Sequence, residues 1–317
     1  MQSIRPGPAS DFHSKAMRFL KREWRMHKYI YLMSLPVLAF FIIFRYLPMY
    51  GVVIAFKQFS PRKGILGSDW VGMRHFVSFF NSYYFSRILI NTVVLSLYSI
   101  LFCFPAPIIL ALLLNEVRCE PFKRVVQTIT YMPYFISLVV ICGLIRDFVA
   151  VDGPIQSLVR ALGGPDVNLL TQSSMYRPIY ILSDLWQYIG FNSIIYIAAI
   201  SGVDAELYEA GAIDGVTTRL QQIRYITLPS IAPTITILFI LQVGNLMNVG
   251  YEKTLLLYND QIMDVADIIS TFVYRKGLQE ANYSYSAAVG LFNSVINSLL
   301  LIAANLISRR VSENSLW

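Results

Sequence analysis

The chain has 317 residues, of which 56% are hydrophobic and only 14% charged, with a formal net charge of +7. Soluble domains are about a quarter charged, so this composition excludes a soluble enzyme and points to an integral membrane protein. The basic excess then reports topology, because Lys and Arg collect on the cytoplasmic side of spans; no nucleic-acid partner is expected.

Residues 1–28 are polar and basic (Arg5, Lys15, Arg18, Lys21, Arg22, Arg25, Lys28), which places the N-terminus in the cytoplasm. Phe19, Leu20, Trp24 and Met26 interleave with the charges. The segment reads either as a helix lying on the inner membrane surface or, the reading kept here, as a solvated basic tail. No cleavable-signal pattern precedes the first span. Span one covers about 29–56, longer than the ~20 residues that cross a bilayer, with Pro36, Pro48 and Gly51 allowing a kink or early exit. Residues 57–87 read as an outer loop with an interfacial aromatic helix in its second half.

Span two covers about 88–114 and contains Pro105 and Pro107; a short basic turn follows. Span three covers about 122–149 and is broken near its middle at Met132-Pro133. Such prolines free backbone carbonyls, which is tolerated where protein or a cavity covers them. Arg146 and Asp147 read as a local ion pair at its outer end. An outer loop, 150–177, leads to span four, about 178–202. Span five covers about 229–249, and span six about 284–307. The third outer loop, 250–283, carries Lys253, Asp260, Asp264, Asp267, Arg275 and Lys276. Arg309-Arg310 close span six on the inside, so both termini are cytoplasmic. Overall this is an all-α integral membrane chain: a basic segment 1–28, a six-span unit 29–310 and a tail 311–317. Cys103 and Cys142 lie in apolar segments and Cys119 in a polar turn, with no Cys/His cluster; neither a disulfide framework nor a metal site is suggested.

The segment 203–229, between spans four and five, is more ordered in sequence than a slack connector. Asp204 is placed to cap a short helix through Ile213, and Gly215 suits the left-handed residue that ends one. Thr218 and Gln221 have capping-box spacing, which starts a second helix. Leu228-Pro229 either stops that helix or marks the entry to span five. Ala210, Gly211 and Ala212 give one side small residues that another protein can approach closely.

Glu209, Ala210, Gly215, Ile226, Leu228 and Pro229 resemble the EAA coupling motif of the membrane subunits of binding-protein-dependent ABC importers. Gly211 replaces the second Ala of the motif, and the spacer from Gly215 to Ile226 is one residue longer than in sugar permeases. With Tyr131-Met132-Pro133, the Trp186 region and Tyr208-Glu209-Ala210, the wider chain is similar to the oligosaccharide-importer branch, with a maltose-permease-like, type I importer fold. The resemblance implies a permease that pairs as a heterodimer with a second homologous permease subunit. It also implies two ATP-binding cassette ATPase subunits docking on Glu209, Ala210, Gly211, Asp214 and Gly215, and an extracytoplasmic solute-binding protein. No G-x-x-x-x-G-K-[ST] sequence occurs, so ATP and magnesium are expected on the partner ATPases and no cofactor on this chain. Some members of the branch carry polyanionic sugars such as alginate or pectin fragments. Lys57, Arg62, Lys63, Arg74 and Arg87 on the first outer loop would suit that.

Polar side chains in apolar spans are costly unless they face a cavity or a partner helix. Asp184, Gln187, Tyr188 and Asn192 share one face of span four by their i, i+3, i+4, i+8 spacing. Gln242, Asn245 and Asn248 form a stripe on span five, and Asn293, Asn297 and Asn305 lie on span six. Amides match sugar hydroxyls in both donor and acceptor roles, and the resemblance implies substrate contacts on the spans flanking the coupling loop. Asp184, Gln187, Tyr188, Asn192, Gln242, Asn245 and Asn248 are therefore the substrate-path candidates. The competing reading of each is interhelical hydrogen bonding. The leading function is an ATP-driven carbohydrate importer permease in a bacterial plasma membrane. The alternative is an ion-coupled secondary transporter of a small polar solute, for which Asp184 is the one buried acid. An intramembrane enzyme is disfavoured, since His13, His27 and His75 all lie outside the spans.

Overall fold

The computed structural model describes residues 8–311; residues 1–7 of the basic segment and 312–317 of the tail lie outside the described residues. Four apolar segments run straight enough to cross a membrane: Met26–Phe56, Tyr84–Glu116, Arg219–Gly244 and Tyr283–Arg310. Two further pairs are bent, Glu120–Phe135 with Leu138–Ala161 by 100° and Ser173–Ser201 with Ala205–Ile213 by 66°. Counting each bent pair as one span gives the six expected. Residues 8–28 are not a tail: the helix Pro8–Phe41 carries them into span one, broken only at His27 (φ −119°, ψ 18°).

Pro48, Pro105 and Pro229 do not break their spans, whereas the break expected at Met132-Pro133 is present. A π turn precedes each of three prolines: Ile42–Tyr46 before Pro48, Ser99–Cys103 before Pro105, and Ile223–Thr227 before Pro229. Proline lacks an N–H and its ring collides with the carbonyl four residues back. Widening the preceding turn moves that carbonyl aside and lets the helix continue. Pro229 therefore neither stops a helix nor opens span five, which already runs from Arg219. The π turn at 223–227 also gives the long spacer after Gly215 a place for an additional residue. Span three differs: Met132–Phe135 tightens to a 3-10 turn, and Leu138–Val149 leaves at a steep angle instead of continuing the span. No ion pair joins Arg146 to Asp147 among the described residues.

The two largest core clusters lie at the end of the bundle opposite 204–218, and a smaller one (Ile108, Ala111, Tyr196, Ile200, Ile231) lies beside that element. One cluster joins Tyr176, Tyr180 and Ile181 of span four to Leu257, Ile262 and Ile268. A second joins Phe79, Ile88, Met247, Phe272 and Val289. So 250–283 is not a solvated loop. It holds the helices Tyr251–Leu257, Met263–Ala266 and Ile269–Tyr274, packed into the bundle. The aromatic helix in the first connecting segment exists, as Arg74–Phe80, but Phe76 and Phe79 enter the core. A two-residue antiparallel ladder, β1 (Lys57–Gln58) with β2 (Asp69–Trp70), precedes it.

Candidate functional site

Two places carry the candidate residues, one at each level of the bundle. The first is the 204–218 element. Asp204 accepts from the Glu206 N–H at 3.0 Å and starts the helix Ala205–Ile213. Gly215 ends it at φ +88°, where a side chain would be strained. Thr218 and Gln221 close a reciprocal capping box, with bonds of 3.3 and 3.0 Å. All three local expectations hold.

Tertiary contacts then fix this element against the spans. A Cβ on Gly211 would sit 2.6 Å from Cδ1 of Ile226, so the helix packs closely against a side chain of the π turn of span five. The Tyr208 hydroxyl lies 2.9 Å from Oγ1 of Thr227 on the same turn. Arg219 pairs with Glu116 at the end of span two, 3.3 Å apart. Glu209, Ala210, Asp214 and Gly215 remain exposed, and Ile213 is 87% exposed beside them. The element thus presents an uncovered surface on a mount tied to spans two and five.

The second place is a cleft of about 320 Å³ between spans two, four and five. Asp184, Tyr188, Asn192, Gln242 and Asn245 line it, with Ser99 and Tyr196. An adjoining cavity of about 240 Å³ shares Asp184, Gln242 and Asn245 and adds Asn248. Gln187 is not brought to the cleft. It is 2% exposed, and among the described residues its Oε1 has no hydrogen-bond partner. At 100° per residue, Asp184, Tyr188 and Asn192 span roughly 80° of the helix surface, and Gln187 falls roughly 60° to the other side of Asp184.

Span five ends earlier than its apolar run, at Gly244, and Leu246–Asn248 is a 3-10 turn. The opened backbone is satisfied by side chains of other spans. The Met247 N–H donates to Oδ1 of Asn297 at 2.9 Å, and the Ser96 hydroxyl donates to the Leu246 carbonyl. Asn293 donates to Oδ1 of Asn248 at 2.7 Å. Asn293 and Asn297 therefore do the interhelical work that competed with a substrate role, and Asn248 shares in it. Gly250 (φ +28°) passes the Tyr180 ring so closely that a Cβ would collide with its hydroxyl.

Sequence reasoning missed the partner of Asp184. Lys253, on Tyr251–Leu257, is 3% exposed and its Nζ lies 3.2 Å from Asp184 Oδ1. It also donates to the Tyr180 carbonyl at 3.3 Å and sits 4.9 Å from that ring's centroid. Burial pulls the Lys253 ammonium below its ordinary pKa, while Asp184 opposes the shift. The available signal was Lys253 heading an apolar run, Thr254 to Leu257, after a glycine. A second buried pair braces the same end: Arg275 bonds both oxygens of Asp267 at 3.2 and 2.6 Å, and Asp267 is 0% exposed. Among the described residues no group of His, Cys, Asp and Glu could hold a metal.

The comparisons agree with this geometry. Residues 103–313 match the model of the family described as binding-protein-dependent transport system inner membrane component. The chain is 43% identical over 291 residues to the polygalacturonan/rhamnogalacturonan transport system permease protein YteP of Bacillus subtilis (strain 168), covering 92% of this chain and 90% of that one. It is 42% identical over 302 residues to protein LplB of the same organism, covering 95% and 93%. Its backbone matches a chain of a bacterial ABC transporter involved in the import of the acidic polysaccharide alginate, with a TM-score of 0.85 and 42% identity over 92% of this chain and 99% of that one. A bacterial alginate ABC transporter in complex with alginate pentasaccharide-bound periplasmic protein matches equally, at TM-score 0.85 and 41% identity. The chain belongs to the family of binding-protein-dependent transport system inner membrane components, as a multi-pass, non-catalytic permease subunit with the ABC importer permease fold.

Proposed function

We propose that this chain forms half of the membrane pathway of an importer of acidic oligo- or polysaccharides in a bacterial plasma membrane. The observation that carries the reading is the convergence of Asp184, Tyr188, Asn192, Gln242 and Asn245 on one cleft between spans two, four and five. Hydroxyl and amide groups there suit sugar hydroxyls. The names of the similar proteins, a polygalacturonan/rhamnogalacturonan permease and an alginate importer, support an acidic carbohydrate.

Both termini and the 204–218 element lie on the cytoplasmic side, where the basic segment and Arg309-Arg310 collect. The exposed surface of Glu209, Ala210, Asp214 and Gly215 docks on one of two ATPase subunits, which bind ATP and magnesium. A second, homologous permease completes the pathway, and an extracytoplasmic binding protein delivers the sugar. Closure of the ATPases moves the docked element, and Gly211–Ile226, Tyr208–Thr227 and Arg219–Glu116 pass that motion to spans two and five. The ion-coupled alternative needs an acid free to take up a proton, and Asp184 is instead held by Lys253.

The test is uptake of trigalacturonate into proteoliposomes holding the complete importer. Uptake should survive a protonophore, stop without ATP, and fall at least tenfold when Asn245→Trp fills the cleft. Unchanged uptake by that variant would remove the cleft from the pathway.

A further inference from the structure

The walls of the two joined cavities are neutral except at one point. Ser96, Ser99, Tyr188, Asn192, Gln242, Asn245 and Asn248 contribute hydroxyls and amides, and among the described residues Asp184 contributes the one charged side chain. Its side chain keeps 21% of its surface exposed. A single carboxylate in a confined, poorly screened cleft repels any anion that enters. A polyanionic sugar carries a carboxylate on each acidic residue, so Asp184 alone would work against its passage.

Lys253 changes that balance. It does not line either cavity; it stands behind Asp184, on a helix from a different part of the chain, and reaches it from the rear. A lysine buried to this extent is costly to desolvate, and apolar residues of similar volume commonly serve packing as well or better. The Tyr180 carbonyl and ring hold the ammonium in place, so the pair is built, not incidental. Hydrogen-bonding capacity of Asp184 toward hydroxyls is kept while its net field is removed.

We propose that Lys253 sets the charge selectivity of the cleft: by neutralising Asp184 it admits anionic sugars that the bare carboxylate would turn away. This rests on the cleft being the sugar path. Lys253 is a specificity-determining residue that acts through Asp184 without touching the sugar.

The test uses the purified complete importer carrying Leu241→Cys, whose position lines the cleft without being one of its polar groups. Labelling of that cysteine by a neutral maleimide is followed by mass spectrometry. The protectants are trigalacturonate and α-1,4-galactotriose, which differ only in their carboxylates. The readout is the ratio of their half-protecting concentrations. Lys253→Met should shift that ratio against the acidic sugar by about tenfold, the effect of one uncompensated charge at ~10 Å in a medium of intermediate polarity. Asp184→Asn should shift it the opposite way, and the double variant should return it to the starting value. Both single variants weakening the two sugars alike, with the ratio unchanged, would reduce the pair to a structural brace and overturn the proposal. If neither sugar protects the cysteine before Lys253 or Asp184 is changed, the cleft is not the sugar path and both readings fall together.

Discussion

The two ends of the bundle obey different rules. At the 204–218 end, every turn is set by a neighbour within three or four residues: Asp204 caps at N2, Gly215 supplies a positive φ, Thr218 and Gln221 cap each other. At the opposite end, residues of 250–283 also find partners across the fold: Lys253 on Asp184, 69 residues away, and the Asp264 and Asp267 carbonyls on Asn91, 173 and 176 residues away, while Asp267 and Arg275 pair within the segment. The first end is exposed and can be handed to another protein. The second is buried and holds the spans together. Local signals suit an element that must keep its shape while it moves against a partner; long-range pairing suits one that fixes a bundle.

That contrast can be broken by substitution. Arg275→Met, which strands Asp267 as a buried charge, should have the largest effect, about 3–5 kcal/mol of stability. It should appear as a lower unfolding midpoint for the whole chain in detergent. Gly215→Pro comes next. It cannot adopt φ +88°, so it should cost about 1–3 kcal/mol, confined to the loop. Hydrogen exchange should quicken only across 204–218, while ATP-driven uptake is lost and the unfolding midpoint of the spans holds. Normal uptake by this variant would rule out the docking role. Asp204→Ala removes one cap and should cost about 1 kcal/mol, read by exchange at the Glu206 and Leu207 amides. Gly211→Ala should have the smallest effect, because only the mobile end of Ile226 must give way. A few tenths of a kcal/mol is about what that adjustment costs, and a double variant with Ile226→Val should recover it.

Residue by residue, what could be read in the sequence follows the same division. Asp204, Gly215 and the Thr218–Gln221 pair were legible because capping is a short-range geometry. Asp184, Tyr188 and Asn192 were legible as a stripe because helical periodicity orders them. Gln187 was misassigned because periodicity gives a face its direction and not its width; only the placement of spans two and five shows where the cleft stops. Lys253 and Asp267 looked like loop charges because the segment 250–283 lies between two long apolar runs and carries several other charged residues. Nothing within a few positions of either announces a partner on span four or a bidentate arginine.

The order of residues alone was enough to make the chain all-α and membrane-embedded, because composition and apolar runs report directly on the solvent each segment can tolerate. It also determined the turns of the 204–218 element. Tertiary packing settled that three prolines follow π turns without ending their spans, that span five opens at Asn245, and that Asp184 is paired. Each of those outcomes requires a group from elsewhere in the fold or a shift in helix phase. The free energy of a buried charge or an opened backbone depends on the partner that reaches it, and a partner brought from 69 residues away leaves no mark on the local sequence.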